Sequence, residues 1–165
     1  MRWLRKHAAE YGIRRDKIGV LGRSAGGHLA SLLEVKNGEG CRVQAVVSYF
    51  GSHDLNVKKF SKKSPVVSLM GGPLDENPEL WKDASSSTHI TPDDPPFPLI
   101  HGDNDKTVPS TISENFHANL TAKGVKSELI IAKGGGHGGG LGRSNDPPID
   151  EIHQRVLEFL KKHLQ

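Results

Sequence analysis

Short apolar runs alternate along the chain with stretches whose apolar residues recur every three or four positions. The runs are rich in β-branched residues, which is typical of strands buried on both faces of a parallel sheet. They lie at residues 18–21, 43–50, 97–100 and 128–132. We therefore predict an α/β fold, with a mostly parallel sheet and helices on both of its faces.

The stretches between the runs show the spacing of amphipathic helices. Predicted helices cover residues 2–11, about 25–35, 112–123 and 149–164, and a shorter helical piece covers 78–84. One face of the first helix would carry Trp3, Leu4, His7, Ala8 and Tyr11.

The long segment between the second and third runs has no clear period. It contains a Gly-Gly-Pro turn, a run of serines and several prolines. We expect residues 58–96 to form a cap-like insertion over the end of the sheet, and a plain long connection with one or two helices is the equal alternative. Residues 1–165 are predicted to form a single domain.

Composition narrows the classes of function. The net charge is +3, and acidic residues are interspersed among the basic ones, so no basic block indicates nucleic-acid binding. Cys41 is the only cysteine, which excludes an intrachain disulfide and a cysteine-based metal site. No pair of histidines has the spacing of metal ligands, and we expect neither a metal nor a cofactor. No run approaches the roughly 20 apolar residues of a membrane span, and the first residues do not form a signal peptide, so a cytoplasmic location is the default expectation.

The segment Gly22-Arg23-Ser24-Ala25-Gly26 joins the first apolar run to the second predicted helix. A G-x-S-x-G sequence between a strand and a helix is typical of the nucleophile elbow of serine hydrolases. We interpret Ser24 as the nucleophile and the Ala25 amide as an oxyanion donor. Gly22 and Gly26 would relieve crowding where the chain passes close to itself. The alternative is a glycine-rich turn whose serine only caps the helix.

A serine nucleophile needs a base, and the base needs an orienting carboxylate. After the fourth run comes His137, with three glycines on each side, which let the loop fold back over Ser24. After the third run come Asp103 and Asp105. Asp103 could instead close its own turn, so we favour Asp105 as the acid. An exposed loop histidine is the alternative interpretation of His137.

The remaining histidines carry weaker signals. His28 lies on the helix after Ser24, and we predict that it either packs there or supports a catalytic side chain without touching the substrate. His53 and His101 lie near strand ends or in loops, without a predicted role.

The chain resembles the α/β-hydrolase superfamily, most closely its esterase/lipase branch, which includes acetyl-xylan-esterase-like enzymes. It is also similar to the catalytic domain of prolyl-oligopeptidase-like peptidases. Residues 18–28, 98–109 and 133–137 carry the resemblance. The family pattern H-G-x-x-D-x-x-V-P places the catalytic acid at Asp105.

The resemblance implies a carboxylic-ester hydrolase that forms an acyl-enzyme on a Ser-His-Asp triad and needs no cofactor. Its partner would be a small-molecule ester such as an acylated carbohydrate. One alternative is a serine peptidase of the prolyl-oligopeptidase type. Another is a truncated, inactive hydrolase that acts as a binding module.

The resembled fold normally has several strands before the elbow strand, and an H-G-G-type loop that supplies a second oxyanion amide. Neither precedes residue 18. We therefore expect the C-terminal portion of an α/β-hydrolase fold, with weak or no activity, because losing one oxyanion donor costs about 10²–10³ in rate. The elbow strand would then be an exposed apolar sheet edge through which the chain could self-associate.

Overall fold

A parallel sheet forms the centre of the molecule. The computed structural model describes residues 1–36, 38, 40–56 and 64–165. Within these residues the sheet has four strands in the order β1-β2-β3-β4, each parallel to its neighbour. The strands are β1 (Gly19–Arg23), β2 (Ala45–Tyr49), β3 (Phe97–Gly102) and β4 (Ser127–Ala132).

The helices lie before, between and after these strands. They are α1 (Arg2–Lys6), α2 (Ala25–Val35), α3 (Pro65–Leu69), α4 (Pro78–Asp83), α5 (Thr111–Ala122) and α6 (Ile149–Leu164). Two 3₁₀ turns lie at Ser86–Thr88 and Gly138–Arg143. The predicted alternation of strands and helices is confirmed, with element ends that differ from the predicted ones by a few residues.

Two apolar clusters lie on opposite faces of the sheet. Successive residues of β2 point to opposite faces, so Val46 packs in one cluster and Val47 in the other. The Val46 cluster includes residues of α2 and α5, and the Val47 cluster includes residues of α6. Helices therefore cover both faces, as predicted. Every residue of β2 and β3 is buried, which explains why their sequences are almost continuously apolar.

The first helix is shorter than predicted. It ends at Lys6, and residues 7–12 form turns in which the Ile13 amide donates to the Ala8 carbonyl. Ala8 is buried, but Trp3 and Tyr11 are 56% and 62% exposed. The Trp3 ring stacks on the His7 ring rather than on the sheet. The predicted apolar face does exist, but its Trp3 and Tyr11 side chains are not buried against the described residues. It therefore lacks the packing that would stabilise a longer helix.

The segment before β3 contains one helix that the sequence did not predict and one that it did. The unpredicted α3 is capped at its start by Ser64, whose side chain accepts from the Val66 amide. The predicted α4 carries Trp81, which is buried against Leu55 and Val67. Residues 58–63 of the expected cap-like insertion lie outside the described residues, and a cap over the sheet remains a prediction.

Candidate active site

Ser24 lies at the sharp turn between β1 and α2. Its φ of +53° and ψ of −121° are rare for a residue with a side chain. Two backbone hydrogen bonds hold this turn. The Ser24 amide donates to the Tyr49 carbonyl at 2.9 Å, and the His28 amide donates to the Ser24 carbonyl at 3.0 Å. A strained backbone of this kind costs about 1–3 kcal/mol and is concentrated at functional sites.

Close backbone approach explains one of the two predicted elbow glycines. A Cβ added to Gly22 would overlap the carbonyl group of Gly26. A Cβ added to Gly26, by contrast, would meet no heavy atom within 4 Å, so the steric reason predicted for Gly26 is wrong. Gly27, like Gly22, has no room for a side chain. A Cβ there would lie 2.7 Å from Ser48 Oγ and 3.1 Å from the Tyr49 carbonyl oxygen. Gly26 contributes the backbone that Gly22 must clear.

The structure brings Ser24, His137 and Asp105 into one hydrogen-bonded line. Ser24 Oγ lies 2.9 Å from His137 Nε2, and His137 Nδ1 lies 2.6 Å from Asp105 Oδ2. An ionised carboxylate can only accept, so His137 Nδ1 donates to it. Nε2 then carries the lone pair, and the Ser24 hydroxyl can donate to it. The Asp105 side chain is fully buried, and that of His137 is 22% exposed.

Hydrogen bonds keep the Asp105 carboxylate charged in spite of its burial. Burial alone would raise its pKa, but hydrogen bonds from the Val108 amide, from His137 and from the Thr107 amide outweigh that effect. The two amides reach Oδ1 at 2.9 and 2.8 Å. The pKa of Asp105 therefore lies below its ordinary value, and the carboxylate is ionised at neutral pH.

The neighbouring carboxylate has a different contact. Asp103 is exposed, and its Oδ1 accepts from the Gly134 amide at 2.8 Å. It therefore ties its own loop to the base of the loop that carries His137. The two loops cross so closely that a Cβ on Gly102 would overlap the Gly135 carbonyl. Of the two candidate acids, the structure places Asp105 against His137.

His101 contacts the loop that carries Asp105, a role that the sequence did not predict. Its buried ring lies with Nε2 2.8 Å from the Val108 carbonyl oxygen and Nδ1 2.8 Å from Ser113 Oγ. Nε2 is also 3.3 Å from Asp105 Oδ2. Burial lowers the pKa of His101, so the neutral ring donates from Nε2 and accepts the Ser113 hydroxyl at Nδ1. Its position directly after the apolar run 97–100 was the signal that could have shown its burial.

Two more histidines are buried beneath the elbow. His28 is 7% exposed, and its Nε2 lies 2.7 Å from the Ala84 carbonyl oxygen, so the predicted packing role is confirmed. His53 is completely buried with its ring stacked on Phe116. Burial, and then the charges that His28 and His101 would carry, lower the pKa of His53 to about 3.

The described residues contain neither a cluster of metal ligands nor a membrane-spanning helix. Nowhere among them do three His, Cys, Asp or Glu side chains gather closely enough to hold a metal ion. None of their helices has the length and apolar character needed to cross a bilayer.

Known proteins resemble this chain over most of its length. The sequence model of the BD-FAE family matches residues 1–120. Esterase LipC of Mycobacterium tuberculosis is 28% identical over 97% of this chain and 46% of its own length. The solved structure of a truncated form of carbohydrate esterase from gut microbiota is similar with a TM-score of 0.88 and 28% identity, over 98% of this chain and 65% of that one. An acetyl ester-xyloside bifunctional hydrolase from Caldicellulosiruptor lactoaceticus is similar with a TM-score of 0.78 and 30% identity, over 95% of this chain and 60% of that one.

The chain spans about half the length of LipC and less than two thirds of either solved structure.

Proposed function

The chain belongs to the BD-FAE family, and from this premise we propose that it is a serine hydrolase that cleaves a carboxylic ester through an acyl-enzyme. The observation that carries the proposal is the line of hydrogen bonds from Ser24 Oγ through His137 to Asp105. The similarity to proteins that are named as esterases supports it.

Acylation begins when Ser24 Oγ attacks the acyl carbon of the ester. The hydroxyl proton moves to His137 Nε2, which lies 2.9 Å away. The carbonyl oxygen becomes an oxyanion, and the Ala25 amide at the start of α2 donates to it. His137 then returns the proton to the leaving alcohol oxygen as its bond to the acyl carbon breaks. Ser24 is left esterified.

Deacylation repeats these steps with water. His137 removes a proton from the attacking water, and it returns that proton to Ser24 Oγ when the carboxylic acid leaves. Throughout, Asp105 holds the Nδ1–H tautomer of His137 and stabilises the imidazolium form. The lowered pKa of Asp105 suits this role, because the carboxylate has to stay charged while His137 changes its charge. None of these steps uses a metal or a cofactor.

We further propose an acylated carbohydrate as the substrate. Two similar solved structures are named a carbohydrate esterase and an acetyl ester-xyloside hydrolase, and this supports the choice. The chemistry assigned to Ser24, His137 and Asp105 concerns only the acyl group, so simple acetyl esters should also react.

The test is hydrolysis of p-nitrophenyl acetate and of acetylated xylo-oligosaccharides, together with labelling by a fluorophosphonate probe. We expect labelling at Ser24, and a loss of about 10⁴ in kcat or more in Ser24→Ala. Ser68→Ala, an exposed serine on α3, is the matched control and should retain whatever activity the wild type has. A folded protein that is neither labelled nor active would favour the binding-module alternative, and a preference for aminoacyl amides would favour the peptidase.

A further inference from the structure

Arg23, the last residue of β1, has no part in the steps above, yet its side chain joins the two halves of the site. Its Nη2 donates to the Gly138 carbonyl oxygen at 3.3 Å. Gly138 directly follows His137, whereas Arg23 directly precedes Ser24. The guanidinium carbon also lies 5.4 Å from the centre of the Phe50 ring and 5.8 Å from that of Tyr49.

The loop that carries His137 is tied at its base by Asp103 and through the His137 ring by Asp105, but the glycines after His137 have few outside contacts. A Cβ added to Gly138, Gly139 or Gly140 would meet no heavy atom within 4 Å, so this side of the loop faces open space. Among the described residues, Arg23 is the one side chain that hydrogen-bonds to a backbone atom of residues 136–140. A loop this rich in glycine loses much backbone entropy when it is ordered, so each outside contact matters.

Phe50 forms a second link between Arg23 and His137. The Phe50 ring is buried, and its centre lies 4.8 Å from the centre of the His137 ring. Its φ of +44° is uncommon for a bulky residue. The hydrogen bond from its amide to the Ile100 carbonyl, 2.7 Å long, helps to hold that conformation. Phe50 is therefore a fixed surface for the imidazole, and Arg23 contacts the same ring.

We propose that Arg23 is a positioning residue that keeps His137 aligned with Ser24. It acts through its hydrogen bond to the Gly138 carbonyl and through its cation–π contact with Phe50. A guanidinium can do both at once, because it donates along its edge while its face lies on an aromatic ring. A lysine ammonium offers only a compact point charge.

The kinetic consequence rests on the proposed function. A displaced His137 impairs proton transfer in both half-reactions, whereas binding of the ester does not depend on it. Loss of Arg23 should therefore lower kcat and leave KM nearly unchanged.

The variants are Arg23→Met, which keeps the length of the side chain but removes both contacts, and Arg23→Lys, which keeps the charge. We expect kcat for p-nitrophenyl acetate to fall about 10-fold in Arg23→Met, with an intermediate loss in Arg23→Lys. KM should stay within about twofold in both variants. The matched control is Arg14→Met, an exposed arginine before β1, which should behave like the wild type.

A second readout does not depend on turnover. The Nδ1 proton of His137, held in the 2.6 Å contact with Asp105, should give a downfield ¹H NMR signal in the wild type. In Arg23→Met we expect this proton to exchange faster with water and its signal to broaden. Urea unfolding and near-ultraviolet circular dichroism establish that each variant is folded.

Each outcome decides one point. Wild-type kcat together with a wild-type proton signal in folded Arg23→Met would overturn the role of Arg23. If Arg23→Met does not fold, Arg23→Lys decides in the same way, because lysine cannot make the stacked, two-sided contact. If the wild type shows no Ser24-dependent turnover, the proposed function fails, and the proton signal alone decides whether Arg23 positions His137.

Discussion

Asp103 and Asp105 show how far two side chains of the same kind can differ within one loop. Asp105 is buried, and its two oxygens accept from the Thr107 and Val108 amides and from His137. Asp103 is exposed and accepts from Gly134. The loop turns the Asp103 carboxylate toward Gly134, at the base of the loop that follows β4. It turns the Asp105 carboxylate toward the imidazole of His137.

Replacing these two aspartates by asparagine should therefore give unequal losses. We expect Asp105→Asn to lower kcat about 10⁴-fold, because an amide can present its NH₂ group to His137 Nδ1 and favour the wrong tautomer. Asp103→Asn keeps an acceptor for the Gly134 amide and should lose less than about 10-fold. The measurement is kcat on p-nitrophenyl acetate for both variants at one pH. A larger loss in Asp103→Asn would show that the acid has been assigned to the wrong residue.

The two elbow glycines should also respond differently to the same change. In Gly22→Ala the new methyl group overlaps the Gly26 carbonyl, and we expect a loss of about 3 kcal/mol in the free energy of unfolding. Gly26→Ala meets no atom within 4 Å and lies in α2, where alanine is the better helix former, so it should stabilise by up to about 1 kcal/mol. Urea unfolding of both variants is the check. Equal destabilisation would contradict the steric account.

At the scale of elements, the chain at the ends of β2 and β3 buries two imidazole rings. His53 follows β2 and His101 lies in β3, and neither ring is exposed. Burial lowers the pKa of both, that of His53 to about 3. In the unfolded chain each ring takes up a proton near a pH of about 6.5. Below that pH the unfolded state therefore binds more protons than the folded state.

The stability of the protein should accordingly depend on pH. The contribution of His53 is complete above about pH 6.5 and is lost as the pH falls toward 3, with a slope of up to about 1.4 kcal/mol per pH unit. We expect His53→Asn to have a shallower fall of the unfolding free energy between pH 7 and pH 5 than the wild type. His153→Asn, an exposed histidine on α6, is the control and should keep the slope of the wild type. If His53→Asn has an unchanged slope, His53 already carries its proton in the folded state.

At the scale of the whole molecule, the strand order leaves β1 at one end of the sheet. Among the described residues β1 pairs with β2 alone, so one edge of the elbow strand is without a partner strand there, as expected, and the Leu21 side chain of β1 is 49% exposed. The resemblance to the esterase branch of the α/β-hydrolases is confirmed by the family match and by the similar structures. Self-association through this edge remains a prediction.

Sedimentation velocity at low and high protein concentration tests that prediction. We expect the mass of the wild type to rise with concentration, and Leu21→Lys to suppress the rise, because an edge lysine opposes strand pairing. Leu69→Lys alters another exposed leucine, on α3, and should not suppress it. A monomer at all concentrations would contradict self-association.

The sequence by itself determined the class of fold and the order of its chemical groups. The spacing of apolar residues indicates which side of each segment is buried, and turn residues indicate where the segment ends. The strands and most helices were therefore predicted to within a few residues. The elbow motif and the loops that carry Asp105 and His137 were also identified from short segments of sequence. Among the described α-helices, α1 was predicted too long, because its predicted length needed a packing surface, and the short α3 was missed.

The tertiary structure decided which of these groups meet. Ser24 and His137 lie 113 residues apart along the chain, and His137 and Asp105 lie 32 apart. Their contact depends on the parallel order of the strands and on the close crossing of two loops at Gly102. The contact of Asp105 with His137, which the sequence analysis favoured, and the burial of His101 depend on the same arrangement, as does the reach of Arg23 to Gly138. Local sequence patterns describe each segment with its own neighbours, whereas these contacts join segments that only the folded sheet brings together.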